Sequence, residues 1–329
     1  MDGSSHATAS AAVTRPPGMA WVPGGTFTMG SDRHYPEEAP AHAVTVDGLW
    51  MDVTPVTNAA FRRFVEATGH VTLAERAPTA EDYPGADPAL LVAGSAVFRP
   101  PAHPVPLDDA YAWWAMVPGA SWRHPRGPQS GLRGLDDHPV VHVAPADAEA
   151  YCRWAGTELP TEAEWERAAW AGATGTDFPW GDELRPGGRA MANTWEGEFP
   201  HRNARAGRHP YTTPVRSYPP DAHGLFDMIG NVWEWTATTY ADHPAPTGGC
   251  CGEAAGRPPP DTPGGPVERR AVKGGSHLCA STYCRRYRPA ARLAQPVDTT
   301  TSHLGFRCVL RPVTSPGGGG AGPAGPGCR

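Results

Sequence analysis

A chain of 329 residues exceeds the usual length of one domain, yet no interior stretch is long and simple enough to act as a linker, so one large domain is expected. Its formal net charge of -6 disfavours nucleic-acid partners, which are bound chiefly through cationic contacts to phosphate. No apolar run approaches membrane-spanning length, no signal segment opens the chain, and seven cysteines is an odd count for a disulfide scaffold. The expectation is a soluble protein with no membrane partner, cytoplasmic if bacterial.

Residues 1–18 are Ser/Ala-rich and 314–329 almost all Gly, Pro and Ala; both read as disordered tails around a domain at 19–313. Trp21 to Gly30 alternates apolar and polar residues after a Pro-Gly-Gly turn, as a half-buried strand does, and Ala43 to Val46 and Leu49 to Val53 continue a sheet. Thr57 to Thr68 carries Phe61, Phe64 and Val65 at helical spacing and stops at Gly69. A second helix is predicted over Pro145 to Trp154, and a third follows the capping box Thr161-Glu-Ala-Glu164 with Trp165, Ala168 and Ala169 on one face. Beyond residue 172 the chain reads as turns and brief strands, among them Ala271 to Lys273 and Gly305 to Leu310. Glycine and proline, 39 of each, lie between short apolar runs, so regular structure should be sparse, and 12 tryptophans can supply rigid contact area instead. The fold class is α+β with little regular secondary structure. Phosphate-binding loops, dinucleotide fingerprints and H-E-x-x-H pairs are absent from the sequence.

The stretch Lys273-Gly-Gly-Ser-His-Leu-Cys279-Ala-Ser-Thr-Tyr-Cys284-Arg-Arg-Tyr-Arg288 concentrates the chemistry. Two cysteines separated by four residues can meet across a turn, and Gly274-Gly275 lets backbone approach closely. Neighbouring arginines should lower both thiol pKa values, and thiolates suit copper(I). The spacing alone favours a structural or accidental pair, then a redox disulfide, then a metal site. Arg285, Arg286, Arg288 and Arg292 read either as a peptide-positioning cluster or as loop braces.

This segment resembles the active-site pattern G-G-S-x-x-C-x-x-x-Y-C-x-R-Y-R of the formylglycine-generating enzymes, or sulfatase-modifying factors, and matches each fixed position. The resemblance spans about residues 20–312, through Pro23 to Gly30, Pro139 to Val143, Leu159 to Glu166, Pro179 to Asp182, Gly230 to Trp235 and Leu304 to Cys308. It implies the C-type-lectin-like fold of that superfamily. It also implies a copper-dependent oxidase that uses O2 to convert the cysteine of a C-x-P-x-R motif in unfolded sulfatase precursors to formylglycine. By resemblance Cys279 and Cys284 hold copper(I), leaving a position for the substrate thiolate, while Ser276, Trp233 and Tyr283 line the pocket.

The resemblance further implies structural calcium at Asp227, Gly230, Val232 and Glu234, and a second site at Asn193 and Thr194 where Gly207 and His209 occupy the remaining ligand positions. Gly207 stands where the family has Asp and offers only a backbone oxygen. Cys152 and Cys308 resemble a disulfide pair of animal members, although a reducing cytoplasm favours two thiols. Ala169 and Pro289 stand where the other animal disulfide has cysteines. Cys250 and Cys251, in a Gly/Pro-rich insertion, read as loop residues. The competing classes are an iron-dependent sulfoxide synthase, which needs a further His-bearing helical domain, and a non-catalytic binding module, which would be expected to lack the cysteine pair.

Overall fold

The computed structural model describes residues 15–204, 210–244 and 267–312. Gly207, His209, Cys250, Cys251 and most of both expected tails lie outside them. Arg15 to Gly18, assigned to the first tail by composition, are bonded to the domain: Arg15 Nε donates to the Met19 carbonyl at 2.7 Å and Val53 N to the Gly18 carbonyl at 2.9 Å.

The elements in chain order are β1 (Met19–Val22), β2 (Gly25–Met29), β3 (His42–Val46), β4 (Leu49–Asp52), α1 (Asn58–Thr68), β5 (Gly94–Phe98), β6 (Trp114–Pro118), α2 (Pro145–Ala155), α3 (Glu162–Trp170), β7 (Gly197–Glu198), β8 (Arg202–Asn203), β9 (Trp233–Thr239), β10 (Arg269–Lys273), β11 (Arg292–Pro296), β12 (Leu304–Gly305) and β13 (Val309–Leu310). A four-stranded sheet runs β11-β10-β9-β12 and a three-stranded one β1-β4-β13; β2-β3, β5-β6 and β7-β8 are separate pairs. Among the described strand pairs β12 on β9 is parallel and the others are antiparallel. Long stretches of turn and loop separate the strands, the α+β architecture expected from so much glycine and proline.

All three helices form where their caps place them. Thr57 accepts from Ala60 N at 3.3 Å and Gly69 closes α1 in the left-handed region at φ 70°, which glycine enters without steric cost. In the α3 capping box Thr161 N donates to Glu164 Oε2 at 2.7 Å and Glu164 N to Thr161 Oγ1 at 3.2 Å. Trp165, Ala168 and Ala169 are fully buried against the β1-β4-β13 sheet. A larger core joins Phe61, Phe64, Trp122, Trp235 and Phe306 with Cys279.

One strand predicted as continuous is divided, and one expected turn separates two sheets. The turn expected at Pro23-Gly24 separates β1 and β2 onto different sheets, and a Cβ on Gly24 would lie 2.6 Å from Gly48 N. Gly305 to Leu310 splits into β12 and β13 around Arg307, whose side chain enters the core. These breaks position the site. The chain leaving β10 turns at Gly274 and Gly275 and folds back on itself before β11. A Cβ on Gly275 (φ 72°) would lie 2.7 Å from the Arg286 carbonyl, so the arms on either side of the two cysteines can touch.

Candidate active site

Between those arms the backbone makes a tight turn. Cys279 N donates to the Ser276 carbonyl at 3.0 Å, and Cys284 N to the Ala280 carbonyl at 2.9 Å. The turn leaves the two sulfurs 3.4 Å apart, both as free thiols. Ser276 N donates to Cys279 Sγ at 3.4 Å, which orients the first cysteine from its own loop. Cys279 is 2% exposed, whereas Cys284 is partly open beyond the exposed residues 281–283.

Burial makes the pair asymmetric. Cys284 is drawn down to about 6 by the hydrogen bond from Cys279, and after that by the Arg286 backbone and charge. Cys279 is pushed well up by desolvation and by its bond to Cys284. The arginines therefore do not lower both thiols as expected: only the outer cysteine gains, because the inner one is too buried to carry charge beside it. The result is a partly exposed thiolate backed by a buried thiol. Two sulfurs this close can both reach a single soft ion, so the donor set fits copper(I).

Ser276 is buried, and its Oγ accepts from Leu278 N at 3.2 Å, closing the turn before Cys279. Trp233 opens β9 and is buried in the same core cluster as Cys279. Tyr283 is 39% exposed and stacks flat on Phe199, with centroids 4.7 Å apart and planes at 3°, while meeting Trp113 edge-on at 5.5 Å. The residue next to Cys284 in the chain thus belongs to an aromatic cluster. Phe199 and Trp113 were not identified from sequence, since neither lies in a motif and each is far from the cysteines along the chain.

His277, also missed, is fully buried. Its Nδ1 and backbone N both meet the Asn231 carbonyl, at 2.9 and 3.0 Å, and burial pushes it down to about 4, so it stays neutral. Of the four arginines, Arg288 pairs with Glu38 and Arg292 with Glu162 in the interior, which makes them braces. Arg286 meets Glu37 near the surface; Arg285 is half-exposed, with Asp177 at 4.0 Å.

The calcium positions implied by resemblance come together only in part. Asp227 is buried and pushed up to about 6 by desolvation; its Oδ2 accepts from Arg216 N at 2.8 Å and its Oδ1 has no partner among the described residues. That orphan oxygen suits a cation. Glu234 is held by donors from two other elements: Oε2 accepts from Arg307 Nε at 2.6 Å and Trp165 Nε1 at 2.7 Å, and Oε1 from Arg307 Nη2 at 2.8 Å. Gly230 and Val232 follow Asp227 in the same buried loop. At the second position Asn193 and Thr194 are buried, and Asn193 Nδ2 donates to the Tyr211 carbonyl at 3.0 Å; the partner half lies outside the described residues. Cys152 and Cys308 are buried thiols with sulfurs 3.6 Å apart. Among the described residues no helix is long and apolar enough to cross a membrane.

The family model for the sulfatase-modifying factor enzyme 1-like domain matches residues 4–312. The chain is 53% identical over 296 residues to the formylglycine-generating enzyme of Mycobacterium tuberculosis, covering 89% of this chain and 97% of that relative. It is 44% identical over 309 residues to the formylglycine-generating enzyme of Streptomyces coelicolor, covering 89% and 88%. Among solved structures, PvdO from Pseudomonas aeruginosa shares the fold at a TM-score of 0.56 and 24% identity, over 88% of this chain and 93% of that one. The chain belongs to the formylglycine-generating enzyme family.

Proposed function

We propose that this protein activates sulfatases by converting the cysteine of a C-x-P-x-R motif in the unfolded precursor to formylglycine, with copper(I) held by Cys279 and Cys284 and O2 as oxidant. The observation that carries this reading is the thiol pair itself: two free sulfurs 3.4 Å apart, the outer one ionisable and open to an incoming chain. The overall balance is cysteine plus O2 plus two electrons and two protons giving formylglycine, hydrogen sulfide and water. An external reductant supplies the electrons.

Copper(I), when bound, would supply a soft centre able to accept a third sulfur and to engage O2. The chain's own residues do the rest. Ser276 N holds Cys279 Sγ, Arg286 Nη1 lies 3.9 Å from Cys284 Sγ, and the pair is thereby fixed before substrate arrives. Tyr283, on Phe199 and Trp113, offers a flat apolar wall to the substrate backbone and excludes water from one side of the sulfurs. Trp233 and Ser276 close the floor from within the core. A cytoplasmic location belongs to this reading, since the two thiols must stay reduced to bind the ion. A structural calcium is proposed at Asp227, held by its free oxygen, by the loop carbonyls of Gly230 and Val232 and by the Glu234 carboxylate beside Arg307.

The test loads purified protein with copper(I) and supplies O2, a reductant and a C-x-P-x-R peptide. A hydrazine-reactive aldehyde is expected, and Cys279→Ser or Cys284→Ser should abolish it. Unchanged peptide with the wild-type protein would favour a non-catalytic binding module. An unchanged melting temperature on calcium chelation would remove the structural calcium.

A further inference from the structure

The thiol loop is gripped from a distant part of the chain. Residues 35–38, on the short turn following β2, reach across to residues 285–288 some 250 positions later. Tyr35 Oη accepts from Arg285 N at 3.0 Å, and its ring lies under the Arg286 guanidinium at 3.9 Å. Glu37 Oε1 takes Arg286 Nε at 2.8 Å and also Nη2. The remaining edge, Nη1, lies 3.9 Å from Cys284 Sγ. The guanidinium is thus engaged on three sides: its face on Tyr35, one edge on Glu37, and another toward the sulfur.

We propose that Tyr35 and Glu37 are positioning residues for the thiol pair, acting through Arg286, whose orientation they fix so that its free edge faces Cys284. The inference rests on the reading of Cys279 and Cys284 as the reacting pair, and adds residues to it that touch neither sulfur. An unrestrained arginine side chain samples many rotamers, and the ring and carboxylate together remove that freedom before any ligand arrives. The neighbouring pair Glu38–Arg288 serves a different purpose. It is 0% and 1% exposed and braces the loop, whereas Glu37 and Arg286 remain 23% and 22% exposed. Neutralising Glu37 therefore leaves no fully buried unpaired charge, so a change in the site can be measured without loss of the fold.

The experiment compares wild type with Glu37→Gln, Glu37→Asp and Tyr35→Leu, with Asp136→Asn as a control at the exposed Arg62–Asp136 pair. Copper(I) affinity is read by competition with a chromophoric chelator, and the rate of Cys284 alkylation by iodoacetamide is read by mass spectrometry on metal-free protein. Glu37→Gln and Tyr35→Leu should weaken copper(I) binding on the order of tenfold, the scale on which outer partners tune metal ligands. Both should slow Cys284 alkylation severalfold, with Glu37→Asp intermediate and Asp136→Asn at the wild-type value. Equal or faster alkylation in Glu37→Gln and Tyr35→Leu would overturn the positioning role. Wild-type protein that fails to bind copper(I) would instead overturn the metal reading, and the alkylation rates would still decide the role of Tyr35 and Glu37.

Discussion

Arg307 and Glu234 permit a quantitative test of what the 227–234 loop requires. Arg307 is wholly buried and donates to both Glu234 oxygens, to the Asp52 carbonyl at 3.1 Å and to the Phe226 carbonyl at 2.9 Å. Arg307→Met keeps much of the volume but leaves the Glu234 carboxylate in the core with, among the described residues, the Trp165 indole as its side-chain donor. Breaking a buried pair from one side costs about 3–5 kcal/mol. Two carbonyls that lose their donor add roughly 1 kcal/mol between them at the low end. The expected loss is thus about 4–6 kcal/mol, a large share of the roughly 5–15 kcal/mol that holds a domain together. Urea unfolding followed by tryptophan fluorescence measures it, and Glu234→Gln/Arg307→Met should recover a substantial part. A loss below about 1 kcal/mol would refute the reasoning, because the carboxylate would then have another counter-charge. Sensitivity of Arg307→Met to a calcium chelator would identify that charge.

Three further outcomes follow from local geometry. Burial pushes Asp52 up from 3.8 to about 6, so its ionised form is penalised in the fold. That penalty is absent below about pH 4 and complete above about pH 6; Asp52→Asn should therefore gain roughly 1–2 kcal/mol near pH 8 and nothing near pH 4, as measured by chemical unfolding at both. An equal gain at both pH values would show that the charge is not the cause. Thr161→Ala removes the α3 cap and should cost about 1 kcal/mol in thermal melts followed by circular dichroism. Oxidising Cys152 and Cys308, 156 positions apart, should add on the order of 4 kcal/mol. Loss of two titratable thiols with no rise in melting temperature would contradict that figure.

What the amino-acid sequence determined by itself is local. Thr57, Thr161, Gly69 and Gly156 set helix ends because a cap satisfies amides, or a left-handed turn releases the chain, within a few residues of itself. The spacing of Cys279 and Cys284 across a turn likewise brought the sulfurs together, and the ordered motifs indicated the family. Only the tertiary structure decided which thiol carries charge, since burial of Cys279 depends on a core assembled from the whole chain. It also assigned Glu234 to Arg307, 73 positions away, and Arg286 to Tyr35 and Glu37, some 250 positions away. Charge pairing and desolvation act through space, and no pattern along the chain states which distant carboxylate will be nearest once the loops have folded.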